Sequence, residues 1–309
     1  MTSPRYLLFS AIFVACLSIL LSFAKGSTSI ALHQLVFDPI FWQLRLPRTL
    51  SAFTCGALLA LAGSLMQLLL QNPLADPYAL GISSGAALVT LLLMLWGVDA
   101  AWLAGGAWLG SLMTMVLIWL ITRKHRFQTH TLLLAGIALA CGFSAAMSCI
   151  LLISPATDLH NMLFWLTGDL NNAHSPWFAL LILFLGLIIC VLLAPGLNLL
   201  AHGEKEAKAL GLASEKYRIA LYLLSSLFTA TAVTLVGCIG FIGLIIPHLT
   251  RLLAGFDHRL VLPMAALLGG SLLTLADTLA RSLFAPQQLP VGMVMALIGV
   301  PIFIWMLQK

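Results

Sequence analysis

Four groups of residues in this chain have types and spacings that could do chemistry. The first is Arg45-Leu46-Pro47-Arg48, with Asp277 and Arg281 far along the chain. Guanidinium groups recognise carboxylates through paired, planar hydrogen bonds. Asp277 precedes Arg281 by four residues, the spacing of a helical ion pair. Pro47 suits the first turn of a helix, which would set two cations against the positive end of its macrodipole, at about 0.3–1 kcal/mol each. Arginines in such a place read either as snorkelling to lipid headgroups or as a docking patch for acidic groups on an external partner.

The second group is Gly203-Glu204-Lys205-Glu206-Ala207-Lys208-Ala209-Leu210-Gly211, a short helix between glycine stops. Glu204 and Lys208 are spaced for a favourable pair, and Ala207 and Leu210 share another face. A helix this short is marginal in water, so something must pack on it: its own protein, the bilayer, or a cytoplasmic partner that takes it as a coupling element. The third group is Gln71-Asn72-Pro73-Leu74-Ala75-Asp76-Pro77, whose prolines hold the preceding residues extended and stop the helix. A plain turn satisfies this pattern. So does a gate, because irregular backbone at membrane depth is tolerated where it faces protein or water. The fourth is Gly81-Ile82-Ser83-Ser84-Gly85, which matches the G-x-S-x-G nucleophile pattern. That motif needs a strand–turn–helix setting with a histidine and an acid. Here it opens an apolar helix, where small residues permit close packing; an intramembrane hydrolase using Ser83 is the alternative.

The remaining sequence is poor in reactive constellations. Cys16, Cys55, Cys141, Cys149, Cys190 and Cys238 lie in apolar stretches without a CxxC pair and read as small buried hydrophobes. The histidines lack the short spacings of a zinc site, so no metal is expected. No G-x-x-x-x-G-K-[ST] occurs, so ATP is not bound by a P-loop here.

The elements that must position these groups follow from composition. Of 309 residues, 61% are hydrophobic and 8% charged, against about 25% charged in a soluble domain; the mean hydropathy is +1.06. A soluble surface cannot be built from so few charges, which excludes soluble enzymes, disordered chains and nucleic-acid readers. The chain reads as one all-α, polytopic membrane domain over 1–309. Apolar runs long enough to cross hydrocarbon fall at about 6–24, 49–71, 78–96, 101–122, 131–153, 176–195, 217–237, 241–254, 263–283 and 290–307. The eighth is short and crowded at its start by Gly237, Gly240 and Gly243, which suggests a tilt or a very tight turn. Residues 161–168 suggest a short surface helix. The first run is too long for a signal-peptide core and is expected to remain as a span.

With the N-terminus in the cytoplasm, ten spans return the C-terminus there. Inside then lie Arg5, Arg123, Lys124, Arg126, Lys205, Lys208, Lys216, Arg218, Arg251, Arg259 and Lys309; outside lie Lys25, Arg45, Arg48 and Arg281. This obeys the positive-inside rule, and the net charge of +5 reports topology rather than an acidic partner. An ion-coupled secondary transporter is the serious rival. Such carriers place ionisable residues near the midplane, whereas Asp277 and Arg281 sit toward the outer end of their span. Energy from a separate ATPase fits better.

These segments resemble the FecCD family, the permease subunits of ABC importers for iron(III) chelates, heme and cobalamin. The matching stretches are Arg45 to Arg48, Gln71 to Pro77, Gly81 to Ala86, Gly203 to Gly211, Gly240-Phe241-Ile242-Gly243-Leu244-Ile245-Ile246-Pro247-His248, Asp257-His258-Arg259, Asp277 to Arg281, and Leu289-Pro290-Val291-Gly292 onward. They run from 45 to 309 in the family's order. The resemblance implies about ten transmembrane helices in the type II ABC importer permease architecture, embedded in the lipid of a bacterial cytoplasmic membrane. It implies a second permease subunit with the pathway at the dimer axis; a single permease unit per chain makes a homodimer the simplest assembly. Two cytoplasmic ATPase subunits, which would hold ATP and Mg, and a periplasmic or lipid-anchored binding protein complete the expected set; this chain would bind no cofactor and catalyse no reaction. By the same resemblance Arg45, Arg48 and Arg281 meet glutamates of the binding protein. Gly203, Glu204, Ala207, Leu210 and Gly211, in a coupling segment over about 203–212, contact the ATPase, and Asn72 and Leu74 lie along the pathway near its cytoplasmic end. Iron(III)–siderophore is the family's commonest substrate, with cobalamin and heme next. Cys238, His202 and Thr167-Gly168-Asp169 depart from the pattern, and Asp169 is expected to alter the outer mouth.

Overall fold

A computed structural model describes residues 4–25, 39–125, 128–170, 175–283 and 288–308. Among them there is no strand. Seven helices are long and apolar enough to cross a membrane: α1 (Pro4–Ala24), α2 (Leu46–Leu69), α4 (Ala100–Thr122), α5 (Thr129–Ile153), α7 (Trp177–Ala201), α9 (Ser214–Val236) and α11 (His258–Ser282). Three shorter apolar helices, α3 (Ile82–Leu95), α10 (Ile242–Ala254) and α12 (Val291–Leu307), bring the apolar set to the ten that the sequence predicts. The remaining two are α6 (Ala156–Leu166) and α8 (Glu204–Ala209). α6 starts five residues before the surface helix expected at 161, because Pro155 stands just ahead of its first residue, where a missing N–H costs nothing. Arg126 and Lys309 lie outside the described residues.

α2 is the axis of the molecule. Nearly its whole length is buried, against α11 and α9 on its broad sides and α10 and α7 elsewhere. Helices in lipid gain nothing from the hydrophobic effect, so they associate by close van der Waals fit, favoured by small residues. The α2 sequence provides that fit. Gly56 lies against the Gly269 carbonyl of α11, and Gly63 against the Gly243 carbonyl of α10, so closely that a methyl group at either would overlap backbone. α7 shows the opposite pattern: Leu181, Phe184, Leu185, Ile188, Ile189 and Leu192 are exposed, a face suited to lipid tails.

Two departures from regular helix have local causes. The helical path into α2 begins at residue 39 and includes a π-helical turn over Phe41–Arg45, in which the Leu46 N–H bonds to the Phe41 carbonyl. Pro47 follows at once and has no N–H to give, so the wide turn absorbs the break. Arg45 and Arg48 therefore sit inside a continuous helix, and the expected conflict with a helix N-terminus does not arise. The second departure lies between α9 and α10, where 237–241 is non-helical. α10, with 13 residues, is about 20 Å long against hydrocarbon of about 30 Å. Its preceding backbone is satisfied by protein: the Asp169 N–H donates to the Val236 carbonyl (2.9 Å) and the Ile239 N–H to the Tyr78 hydroxyl (2.9 Å). Phe241 takes a left-handed conformation (φ 71°) to start α10.

The cysteines divide. Cys55 and Cys190 are buried as expected, Cys238 is half-buried, and Cys16, Cys141 and Cys149 are exposed on apolar helices. Exposure on such a face costs a thiol little, because its surroundings would be lipid or another apolar surface rather than water.

Candidate functional site

α11 is about 37 Å long by its residue count and carries a polar cluster at each end. At its C-terminal end, Asp277 is fully buried between two arginines. Arg48 donates from Nη2 and Nε to Oδ1 at 2.8 and 3.1 Å, and from Nε to Oδ2 at 3.2 Å. Arg281 Nε pairs with Oδ2 at 3.0 Å, the expected i,i+4 contact. Arg48 Nη1 also donates to Gln288 Oε1 (2.9 Å), and Arg281 Nη2 to Ser22 Oγ (2.8 Å). Arg45 Nη1 donates to the carbonyl of Phe23, at the end of α1. The Ser22 and Thr49 hydroxyls share a further bond of 2.8 Å.

The structure thus brings Arg48 of α2 and Arg281 of α11 onto one carboxylate, while Arg45, in the π-helical turn before α2, bonds to the end of α1. Arg45 and Arg281 are each 5% exposed, so snorkelling to headgroups is not their role. Their guanidinium groups have bonds within the protein, and among the described residues Asp277 is the acidic side chain bonded to the cluster, so three cations stand against one carboxylate.

The opposite end of α11 begins at Asp257. Its carboxylate caps the helix through the Arg259 N–H (3.0 Å) and accepts from Asn198 Nδ2 (2.8 Å). The Asn198 bond, then the Arg259 N–H, hold this carboxyl below the usual aspartate range. Asn198 Oδ1 in turn accepts from the His258 backbone N–H at 2.9 Å. Asn198 lies near the end of α7, which leads through Gly203 into α8.

α8 is shorter than its glycine stops suggest. Gly203 (φ 124°) precedes it and accepts the Ala207 N–H. A Schellman cap closes it: Gly211 (φ 83°) donates to the Lys208 carbonyl and Leu212 to that of Ala207, each at 3.0 Å. Leu210 falls in this cap. It is 68% exposed while Ala207 is fully buried, so the two do not share a face, contrary to the helical spacing. Glu204 bonds to Lys208 (2.7 Å) and to Arg218 of α9 (2.8 Å). The carboxyl is held below its usual value, first by the Lys208 hydrogen bond.

The loop after α2 approaches this same end, where Gln71 Nε2 bonds the Leu200 carbonyl of α7 (3.3 Å). α2 closes on a Schellman cap whose left-handed residue is Gln71 (φ 51°): Asn72 N–H reaches the Gln67 carbonyl (3.1 Å) and Gln71 N–H that of Leu68 (3.3 Å). Asn72 Oδ1 accepts from Leu74 N–H at 2.9 Å, an Asx turn. Both Asn72 and Leu74 are exposed. Asp76 Oδ1 then accepts from Tyr78 N–H (2.7 Å) and opens a short 3-10 turn, Pro77–Leu80. Ser83 follows, buried, on a helix that continues from this turn; the strand setting of a nucleophile elbow is not there. A cavity of about 580 Å³ lies between the end of α3, the start of α4, α6 and the end of α9, lined by Asp99, Asp158, His160, Trp165 and Asp169 among others.

Sequence reasoning named the arginines, the α8 segment and the 72–74 loop, but missed Asn198, Arg218, Thr129 and Tyr78. Arg218 was legible as a basic residue near a span's end. Its partners were not, because hydrogen bonds between distant segments leave no spacing signal.

The family model for the FecCD transport family matches residues 7–309. The vitamin B12 import system permease protein BtuC of Shigella boydii is 39% identical over 301 residues, covering 95% of this chain and 92% of the relative. That of Escherichia coli O139:H28 is 38% identical over 307 residues, covering 95% and 94%. A solved metal-chelate type ABC transporter in an inward-facing conformation matches with a TM-score of 0.89 at 35% identity, covering 99% of this chain and 100% of that one. PsaBC from Streptococcus pneumoniae, solved with a Fab, shares the fold with a TM-score of 0.60 at 17% identity, covering 89% and 94%.

Proposed function

The chain belongs to the FecCD transport family and is an ABC importer permease, and from that premise we propose that it carries cobalamin into a bacterial cell through the cytoplasmic membrane. The choice of cobalamin rests on the BtuC relatives, which are similar along nearly the whole chain. It displaces iron(III)–siderophore, the first expectation from the sequence; a metal-chelate type transporter among the similar structures keeps that substrate as the second reading.

The observation that carries the mechanism is the pair of polar clusters at opposite ends of α11. With basic residues distributed by the positive-inside rule, the arginine cluster faces outward and α8 faces the cytoplasm, as do both termini. A binding protein presenting carboxylates docks on the arginine cluster, whose surplus positive charge attracts them. Two ATPase subunits, which bind ATP and Mg, seat against exposed Leu210 and the half-exposed start of α8. Two copies of the permease form the pathway. The small and polar exposed face of α5, with Ala138, Cys141, Gly142, Ala145 and Ser148, suits a partner subunit and an aqueous path better than lipid. Asn72 and Leu74 border that path near its cytoplasmic end. Energy enters because the ATPase and binding protein favour different states of the permease.

Reconstitution in proteoliposomes with candidate ATPase and binding-protein subunits tests this. ATP-dependent accumulation of labelled cobalamin, exceeding that of a ferric siderophore or heme, is the expected result. Preferential siderophore uptake would transfer the assignment to the second reading. For docking, Arg48→Gln should weaken binding-protein affinity several-fold and flatten its dependence on salt. Equal affinity at every salt concentration would remove Arg48 from the docking surface.

A further inference from the structure

The geometry points to Arg218 and Thr129 as positioning residues that make α5 follow α8 during transport, an inference that rests on the importer reading above. Arg218 stands in the second turn of α9 and is 7% exposed. Its guanidinium holds the first residues of two other helices at once: Nη1 donates to Glu204 Oε2 of α8 at 2.8 Å, and Nη2 to Thr129 Oγ1 of α5 at 3.2 Å. A guanidinium is a rigid planar fork. A displacement of Glu204 is therefore passed to Thr129 through one flat group, rather than through a chain of rotatable bonds.

Both helices so joined are lightly buried within their own protomer. α8 has six residues and buries Ala207, while its remaining residues are exposed or half-exposed. A partner pressing on Leu210 would meet little resistance apart from Ala207 and the Glu204 bonds. Among the described residues, α5 is the least buried of the seven long helices. It also reaches the proposed gate. Gly136 packs against the Ala79 carbonyl and Leu80, in the 3-10 turn directly after the Asn72–Leu74 loop. At its far end α5 leads through Pro155 into α6, whose Trp165 carbonyl lies against Gly237 in the break between α9 and α10. α5 and the α6 that follows it thus connect the Arg218 fork to both irregular segments.

An ion pair whose carboxylate is a third exposed adds little stability. Linking two lightly buried elements in a fixed geometry is a use that apolar packing does not replace.

The test uses the complete transporter in proteoliposomes, carrying Cys16→Ser so that Cys141 and Cys149 of α5 report through maleimide labelling and peptide mapping. Transport per ATP hydrolysed and the nucleotide dependence of Cys141 and Cys149 labelling are compared for Arg218→Gln, Thr129→Val, and the exchange Glu204→Arg with Arg218→Glu. Only monodisperse complex with every subunit present is reconstituted, so loss of folded permease is removed before the ratio is measured. For Thr129→Val, which removes one hydroxyl, the ratio should fall at least fivefold and labelling should lose its response to nucleotide. Arg218→Gln should behave alike, and the exchange should recover part of the ratio. A wild-type ratio and wild-type labelling response in Thr129→Val and Arg218→Gln would overturn the relay alone. Failure of the unmodified complex to couple uptake to ATP would overturn the importer reading and the relay with it.

Discussion

Asp277 is fully buried against two guanidinium groups, and its value shows best on removal. Asp277→Asn keeps the shape and leaves Arg48 and Arg281 facing an uncharged amide. Breaking a buried pair from one side costs about 3–5 kcal/mol, so thermal denaturation in detergent should begin well below that of the parent. Adding Arg48→Met should recover part of the loss. An unchanged melting curve for Asp277→Asn would mean that the cluster does not hold the helices together. Glu204 behaves differently because it is a third exposed. Its carboxyl is held below the usual 4.5 by Lys208 and then Arg218. A lowered folded value means that its contribution is complete above the ordinary glutamate range and is lost as pH falls through the lowered value. Amide exchange in α8, corrected for intrinsic rate, should be slow and flat above the ordinary glutamate range and accelerate as pH falls below it. Both sites were visible in the sequence as charges at unusual positions. Arg48 and Asp277 are 229 residues apart, however, and only the i,i+4 partner could be read from spacing.

At the scale of elements, the glycine contacts of α2 decide how closely the central helices approach. Gly63→Ala should destabilise by at least about 1–3 kcal/mol, the cost of overpacking, because the added methyl meets the Gly243 backbone rather than a side chain that can turn away. Gly105→Ala on α4 is the control: open space surrounds that position, and alanine is the better helix former. Equal melting of the two variants would remove backbone contact as the organising feature. The ten apolar helices could be read from hydropathy because lipid demands uninterrupted apolar runs. The start of α2 could not: Pro47 is a start signal in most helices, and here a π-helical turn carries the helix past it. The extent of α8 was misjudged for a related reason, since Gly211 closes the helix by a cap that also takes in Leu210.

The whole protomer presents two kinds of exposed face, the long apolar side chains of α7 and the small or polar ones of α5. If a second copy covers α5, Gly142→Trp should leave the protomer folded, since among the described residues nothing lies within 4 Å of a Cβ placed at Gly142, and should shift the detergent-solubilised protein from dimer mass to monomer mass in light scattering. A retained dimer would put the interface elsewhere. The arginine cluster has a different consequence at this scale, for the order in which the molecule is made. α1 emerges from the ribosome long before α11, yet it packs mainly on α11, and Ser22 is held by Arg281. A nascent chain with α1 and α2 inserted has the Arg45 and Thr49 bonds to α1 but still lacks its main packing partner. α1 is thus fully fastened only when α11 arrives, and chains truncated before α11 should leave it freer to exchange with lipid.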